Sequence, residues 1–366
     1  MKNIFKNVTI FVFITSIILC CTGCENEVKN NIGEPDSVKA EKLTEYPKNN
    51  APVKTINSGD YWYSLISTYG NDDYKLSVAE NPKDLNVVYE INDSSIWCFE
   101  ANNDYAVWNE KRENENKLML YKNSGSEVTE IYTVDTTNEV HLSHIGLYKN
   151  YLYYIETDYK NKSDSILRYD IKNKVYENIY SVKIFDENAI MNLSVDENYL
   201  TASVIDNDKV NIVLIDLASD DNKVVTELPE NVSYVYDAAY DKVNDTYAVY
   251  YADKKDKEHT GIFNNKMKEI KNVVTFNENV YAYQDSIECY DGHLYWIFQV
   301  NASGNVSDHY QLVDYNYIED KPKEYERTFY FNRTNDSIYA LSFDKSGDYQ
   351  NIVLDKYNLK PESYNI

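Results

Sequence analysis

One pattern returns at nearly even spacing along most of this chain. The segment Asn150-Tyr151-Leu152-Tyr153-Tyr154-Ile155-Glu156 alternates aliphatic and aromatic residues as a half-buried strand does. Its counterparts are Asp60-Tyr61-Trp62-Tyr63, Asp104-Tyr105-Ala106-Val107-Trp108, Asn198-Tyr199-Leu200-Thr201, Thr246-Tyr247-Ala248-Val249-Tyr250, Gly292-His293-Leu294-Tyr295-Trp296 and Ser337-Ile338-Tyr339-Ala340-Leu341. The anchors fall at 61, 105, 151, 199, 247, 293 and 338, in steps of 44, 46, 48, 48, 46 and 45. So steady a period restricts the chain to a repeat architecture.

Each repeat has the same grammar. A short strand precedes the anchor strand, as in Ser95-Ile96-Trp97-Cys98-Phe99 or His141-Leu142-Ser143-His144-Ile145. A polar tip follows, then a third strand such as Ile166-Leu167-Arg168-Tyr169-Asp170 and a fourth such as Glu177-Asn178-Ile179-Tyr180-Ser181-Val182. Even strand–turn spacing without a capped helical period is the all-β signal. Four antiparallel strands per repeat make one blade of a β-propeller. A single such sheet cannot bury both faces, and radial stacking of blades does. Tyrosine, 37 of 366 residues, suits this surface because its ring packs while its hydroxyl stays wet. The expected fold is therefore an all-β propeller of about seven four-stranded blades, with six or eight still compatible with the pattern.

Two places strain this reading. Residues 324–331 are wanted both as the sixth blade's outer strand and as the seventh's inner strand, and cannot comfortably be both. The chain also ends on barely a strand, so ring closure is expected to borrow an N-terminal strand near Ala51–Ile56.

The N-terminus carries an export signal. Lys2 and Lys6 precede an apolar run from Ile10 to Leu19, too short for a comfortable membrane span. The run ends in Leu19-Cys20-Cys21-Thr22-Gly23-Cys24 before turning acidic at Glu25. Thr22-Gly23-Cys24 resembles the lipobox of bacterial lipoprotein signal peptides, with Cys21 standing where that family usually has Leu. The resemblance implies cleavage before Cys24 and lipidation of Cys24, with multi-chain anchoring; an ordinary secretory signal cut near Gly23 is the alternative. The expected organisation is a signal peptide over 1–23, a flexible polar spacer over 24–50 and a propeller over 51–366. Over roughly 51–366 the aromatic and aliphatic alternation resembles the divergent, TolB-like propellers of bacterial envelope proteins. The Trp-Asp dipeptide of WD repeats and the kelch double glycine are absent.

The formal charge is -24, and removing residues 1–23 takes away two lysines and no acids. So acidic a chain argues against nucleic acid or an anionic membrane surface as partner, and permits cations, basic peptides and basic glycans. Beyond Cys24 only Cys98 and Cys289 remain, in the second and sixth repeats, which a seven-fold ring does not place side by side.

The search for chemistry yields candidates rather than a motif. There is no Gly-x-Ser-x-Gly elbow and no His-Glu-x-x-His. His141 and His144 are three apart on a strand, so they face opposite sides unless a bulge intervenes. Propeller glycosidases set acids around the central channel, and Glu100, Glu156 and Glu288 lie on or beside inner strands. Trp108 and Trp296 share the register of Tyr154, which points to packing between blades rather than a sugar platform. The tips joining second to third strands gather on one face and are rich in oxygen ligands. Asp72, Asp73, Asp206, Asp208, Asp344 and Asp348 are the ligand- or cation-binding candidates, with calcium as the one cofactor to consider. Tight hairpins favour the same residues for their own reasons.

The functional expectation is a lipid-anchored module facing outside the cytoplasm, binding or scaffolding a protein or glycan at the cell envelope. The rival is a glycan hydrolase or lyase with carboxylates at the propeller channel.

Overall fold

The computed structural model describes residues 41–46, 50–68, 73–184, 189–219, 222–275, 280–282, 287–300, 310–326, 328–334, 337–343 and 349–356. Seven antiparallel sheets follow one another around a ring, and the chain is a seven-bladed β-propeller. The innermost strands are Asn50–Asn57, Phe99–Ala101, Val140–Tyr148, Ile190–Asp196, Val232–Asp241, the pair Val280–Ala282 and Glu288–Tyr290, and Thr328–Arg333, in blades one to seven. The recurring aromatic segment is the second strand of each blade; in blade three it is Tyr151–Asp158.

The sequence pattern explains the packing. In Tyr151–Asp158, Leu152 and Tyr154 face the blade-two side, where they cluster with Val107, Leu118 and Leu142. Tyr153 and Ile155 face blade four and cluster with Leu193, Leu200 and Val213. Both sides of the strand are buried, which is why apolar residues run continuously through it rather than strictly alternating. Trp108, Tyr154 and Trp296 are all core residues, at 0%, 0% and 2% exposure. Polar pins reinforce the stack. Asn116 Nδ2 donates to the carbonyl of Leu142 in the next blade (3.0 Å). Asp164 Oδ2 accepts from the backbone N–H groups of Ala189 (2.6 Å) and Ile190 (2.8 Å).

Ring closure differs from expectation in one respect. An N-terminal strand does close the ring, but it is Glu41–Glu45, antiparallel to Tyr349–Lys356 in blade seven. Ala51–Ile56 belongs instead to the innermost strand of blade one. The closing strand thus lies inside the stretch read as spacer. Its polar composition gives no strand signal, and Tyr46 just beyond it is buried, its hydroxyl bonded to Thr55 and Ser64. Residues 324–331 also serve both blades after all, with Lys321–Glu326 ending blade six and Thr328–Arg333 opening blade seven.

A further regularity was not visible in the sequence. The innermost strands slip register against their neighbours at Val53, His144, Met191 and Phe329 in blades one, three, four and seven, and at both Ser233 and Tyr236 in blade five. Such bulges bend a strand and re-aim the extra side chain. Here Val53, His144, Tyr236 and Phe329 turn towards the axis.

Candidate functional site: the axial channel

All seven innermost strands line one axial channel of about 1220 Å³. These strands run in the same direction, so the ring has two distinct ends. At the end where they begin lie the hairpins between second and third strands and the links between blades. At the other end the innermost strands turn into the second strands.

A cation reaches across the ring at the second end. Arg333, the last residue of Thr328–Arg333, reaches from blade seven to blade four, three places away around the ring. Its Nη2 lies 2.8 Å from each carboxylate oxygen of Asp196. Glu197 Oε1 is 3.9 Å from Nη1, Glu288 Oε2 is 3.3 Å from Nε, and the Tyr290 ring lies under the guanidinium at 4.4 Å. Three carboxylates thus share one guanidinium whose side chain is only 7% exposed. Burial alone would lower the basicity of Arg333, but Asp196 and Glu288 outweigh it and hold the cation above its ordinary range.

Higher in the channel, Lys54 of blade one donates to Glu100 Oε1 of blade two at 2.5 Å. Its ammonium lies 5.4 Å from the Tyr330 ring centre. Burial opposes this charge too, and Glu100 overrides it, raising the Lys54 ammonium. Glu288 behaves differently. It lies deep in the ring, and burial pushes its carboxyl up; Arg333 pulls it down, while Asp196 and Glu100 push it up further. Its side chain keeps 31% exposure to the channel, so water moderates this shift without reversing it.

The described residues at the opposite end are aromatic. Trp97, just before the innermost strand of blade two, lines the channel and is 63% exposed. Tyr236 stacks on Tyr250 with ring centres 4.6 Å apart, and the Tyr250 hydroxyl donates to Glu258 (2.5 Å).

The sequence candidates fall into three groups. Glu100 and Glu288 both face the channel; Glu156 does not, because it sits in a second strand and accepts from Tyr132 of the preceding blade (2.8 Å). Asp73, Asp206 and Asp208 lie at hairpins of blades one and four, far apart around the ring. Asn207 and Asp208 have φ of 51° and 61°, the left-handed pair of a two-residue hairpin turn, so turn chemistry accounts for them. Cys24, Asp72, Asp344 and Asp348 lie outside the described residues. The bulge that would change the facing of His141 and His144 is present, yet His141 packs edge-on to Tyr159 while His144 lines the channel. Among the described residues, no group of three His, Cys, Asp or Glu side chains is placed to hold a metal ion. Cys98 and Cys289 are not joined in a disulfide. Sequence reasoning missed Arg333, Lys54 and Trp97; no local motif marks them, because they matter only through partners elsewhere in the chain.

No family model matches the chain, and no curated protein does. Solved structures do. The propeller domain of the Trilobed protease from Pyrococcus furiosus is 9% identical, with a TM-score of 0.57 over 88% of this chain and 100% of that one. Oligogalacturonate lyase from Vibrio parahaemolyticus is 13% identical, with a TM-score of 0.55 over 87% of this chain and 94% of that one. A further oligogalacturonate lyase, in complex with manganese, is 12% identical at a TM-score of 0.54, covering 88% of this chain and 95% of that one. At such identities the likeness concerns the β-propeller fold.

Proposed function

We propose that this protein is a lipid-anchored, extracytoplasmic propeller that binds a protein or glycan of the cell envelope, and that its axial channel is the binding site. The observation that carries the reading is the asymmetry of the channel. Arg333 and Asp196 meet across one end, and among the described residues the other end presents the exposed ring of Trp97. Large aromatic side chains left in water beside polar groups are characteristic of recognition surfaces.

Anchoring at Cys24 fits this polarity. The closing strand Glu41–Glu45 runs antiparallel to Tyr349–Lys356, so Glu41 lies at the Arg333 end of the ring. Glu41 and Trp97 thus lie at opposite ends of the ring. Mass spectrometry of the mature N-terminus tests the anchor, and an unmodified Cys24 removes it. A pull-down from the native envelope with the lipidated protein tests the binding role. Recovery of a defined partner supports it; recovery of glycan fragments instead favours the second reading below.

That second reading, a glycan hydrolase or lyase, is favoured by Glu100 and Glu288 facing one channel in unlike surroundings, one paired to Lys54 and the other short of cations. The likeness in fold to oligogalacturonate lyase makes galacturonate oligomers the first substrates to try. Turnover lost in both Glu100→Gln and Glu288→Gln would support it, and no turnover by the wild-type protein of any envelope or plant glycan would end it. Calcium at the hairpin tips is a separate proposal, removed if titration with calcium gives no heat.

A further inference from the structure

The channel is short of positive charge. Its described lining carries Lys54 and Arg333 against Glu100, Asp196, Glu258 and Glu288, with Glu197 close beside Arg333. Asp237 also lines it, but its carboxylate is occupied by Asn192 Nδ2 and the backbone N–H groups of Ala238 and Ile287. Lys54 is committed to Glu100, and Arg333 is divided among three carboxylates. Both cations already use aromatic faces, Lys54 that of Tyr330 and Arg333 that of Tyr290. At the mouth, Lys111 lies over Trp97 with its nitrogen 3.9 Å from the ring centre. The walls are thus built to hold cations against rings and carboxylates, and the carboxylates remain in excess.

Resting on the channel as the binding site, we infer that its ligand is an organic cation, an ammonium group carried on an alkyl or sugar shank. The ammonium sits at Glu288, and the shank lies along the aromatic wall towards Trp97. The negative groups around Glu288 favour an ammonium there, and Arg333, 3.3 Å away, opposes it. Asp196 and Glu197 from blade four and Glu100 from blade two repel a second negative charge there, and Arg333 compensates only in part. Tyr330 and Lys54 complete the surroundings. In the empty channel Glu288 therefore tends to keep its proton. When an ammonium arrives, that proton leaves to solvent and the carboxylate pairs with the ligand.

Titration calorimetry on the soluble propeller, residues 25–366, tests this with four probes in two buffers of different ionisation enthalpy. Tetralysine and a glucosamine tetrasaccharide carry the ammonium on the two kinds of shank; a galacturonate tetrasaccharide and a neutral glucose tetrasaccharide are the controls. The expected result is that an ammonium probe binds and releases protons, and the arm that binds identifies the shank. Glu288→Gln should abolish the proton release and weaken binding about tenfold, as expected for loss of one charge-assisted contact. Trp97→Ala, a change at an exposed ring, should weaken it as well. Binding by the galacturonate or glucose probe but by neither ammonium probe overturns the cationic class while leaving the channel as a binding site. Ammonium binding indifferent to both substitutions places the probe on the acidic outer surface and overturns the proposal. No binding by any probe overturns it too.

Discussion

Arg333 and Asp196 meet across the propeller axis although they are 137 residues apart in sequence, Nη2 of one lying 2.8 Å from both oxygens of the other. The contact joins blades three places apart, so it braces the ring across one end of the channel. Removing Arg333 would strand Asp196, Glu197 and Glu288 together. Breaking a fully buried pair costs about 3–5 kcal/mol. Asp196 keeps 32% of its side-chain exposure, so solvent screening reduces the expected loss for Arg333→Met to about 2–3 kcal/mol. Urea unfolding of the two proteins measures it. Asp196→Asn should cost less, because Glu197 and Glu288 remain to hold the guanidinium.

Glu288 makes the stability of the ring depend on pH in a particular sense. Its folded value is raised above the ordinary 4.5, so the folded chain holds this proton more tightly than the unfolded chain. The contribution is fully present below 4.5 and is lost as pH rises through the raised value. Glu288→Gln removes the titration. The stability difference between wild type and variant should therefore drift in favour of the variant as pH increases, and stay flat thereafter. Denaturant midpoints taken at intervals from acid to alkaline pH would show the drift, and a difference independent of pH would contradict it.

Gly146 lies where blade three touches blade four. A Cβ placed there would come within 2.3 Å of Val195 Cγ2 and 3.3 Å of Leu193 Cδ2. Gly146→Ala should cost about 1–3 kcal/mol by overpacking. Val195→Ala in the same chain should recover part of the loss, since it removes the methyl that clashes. Calorimetric melting of the single and double variants checks both statements.

Ring closure depends on Glu41–Glu45. A chain truncated to begin at Asn50 keeps all of blade one yet loses the outermost strand of blade seven and the buried Tyr46. The expected loss is about 3 kcal/mol or more, from the Tyr46 ring and the ladder bonds together. The melting temperature of the truncated protein reports it, and an unchanged value would mean the strand is dispensable.

The ease of reading this sequence varied with where each residue's partners lie. Second strands such as Tyr151–Asp158 are buried on both sides, so their composition is dictated by position and the repeat is plain. Outermost strands such as Val175–Lys183 bury little, and the polar composition of Glu41–Glu45 carries no strand signal. Bulges such as those at His144 and Tyr236 leave no mark in composition, because they arise from pairing with the neighbouring strand. The channel was half legible. Glu100 and Glu288 could be placed on inner strands from the period alone, whereas their cations Lys54 and Arg333 come from other blades and carry no local signature.

The central claim, that the ligand enters the axial channel by its Trp97 end, is tested most directly by hydroxyl-radical footprinting of the protein with and without solubilised envelope. Trp97 and Tyr236 report on the channel, and Tyr176, 43% exposed on an outermost strand, reports on the rim. The account predicts protection of Trp97 and Tyr236 with Tyr176 unchanged. Protection of Tyr176 with Trp97 and Tyr236 still fully reactive would contradict it.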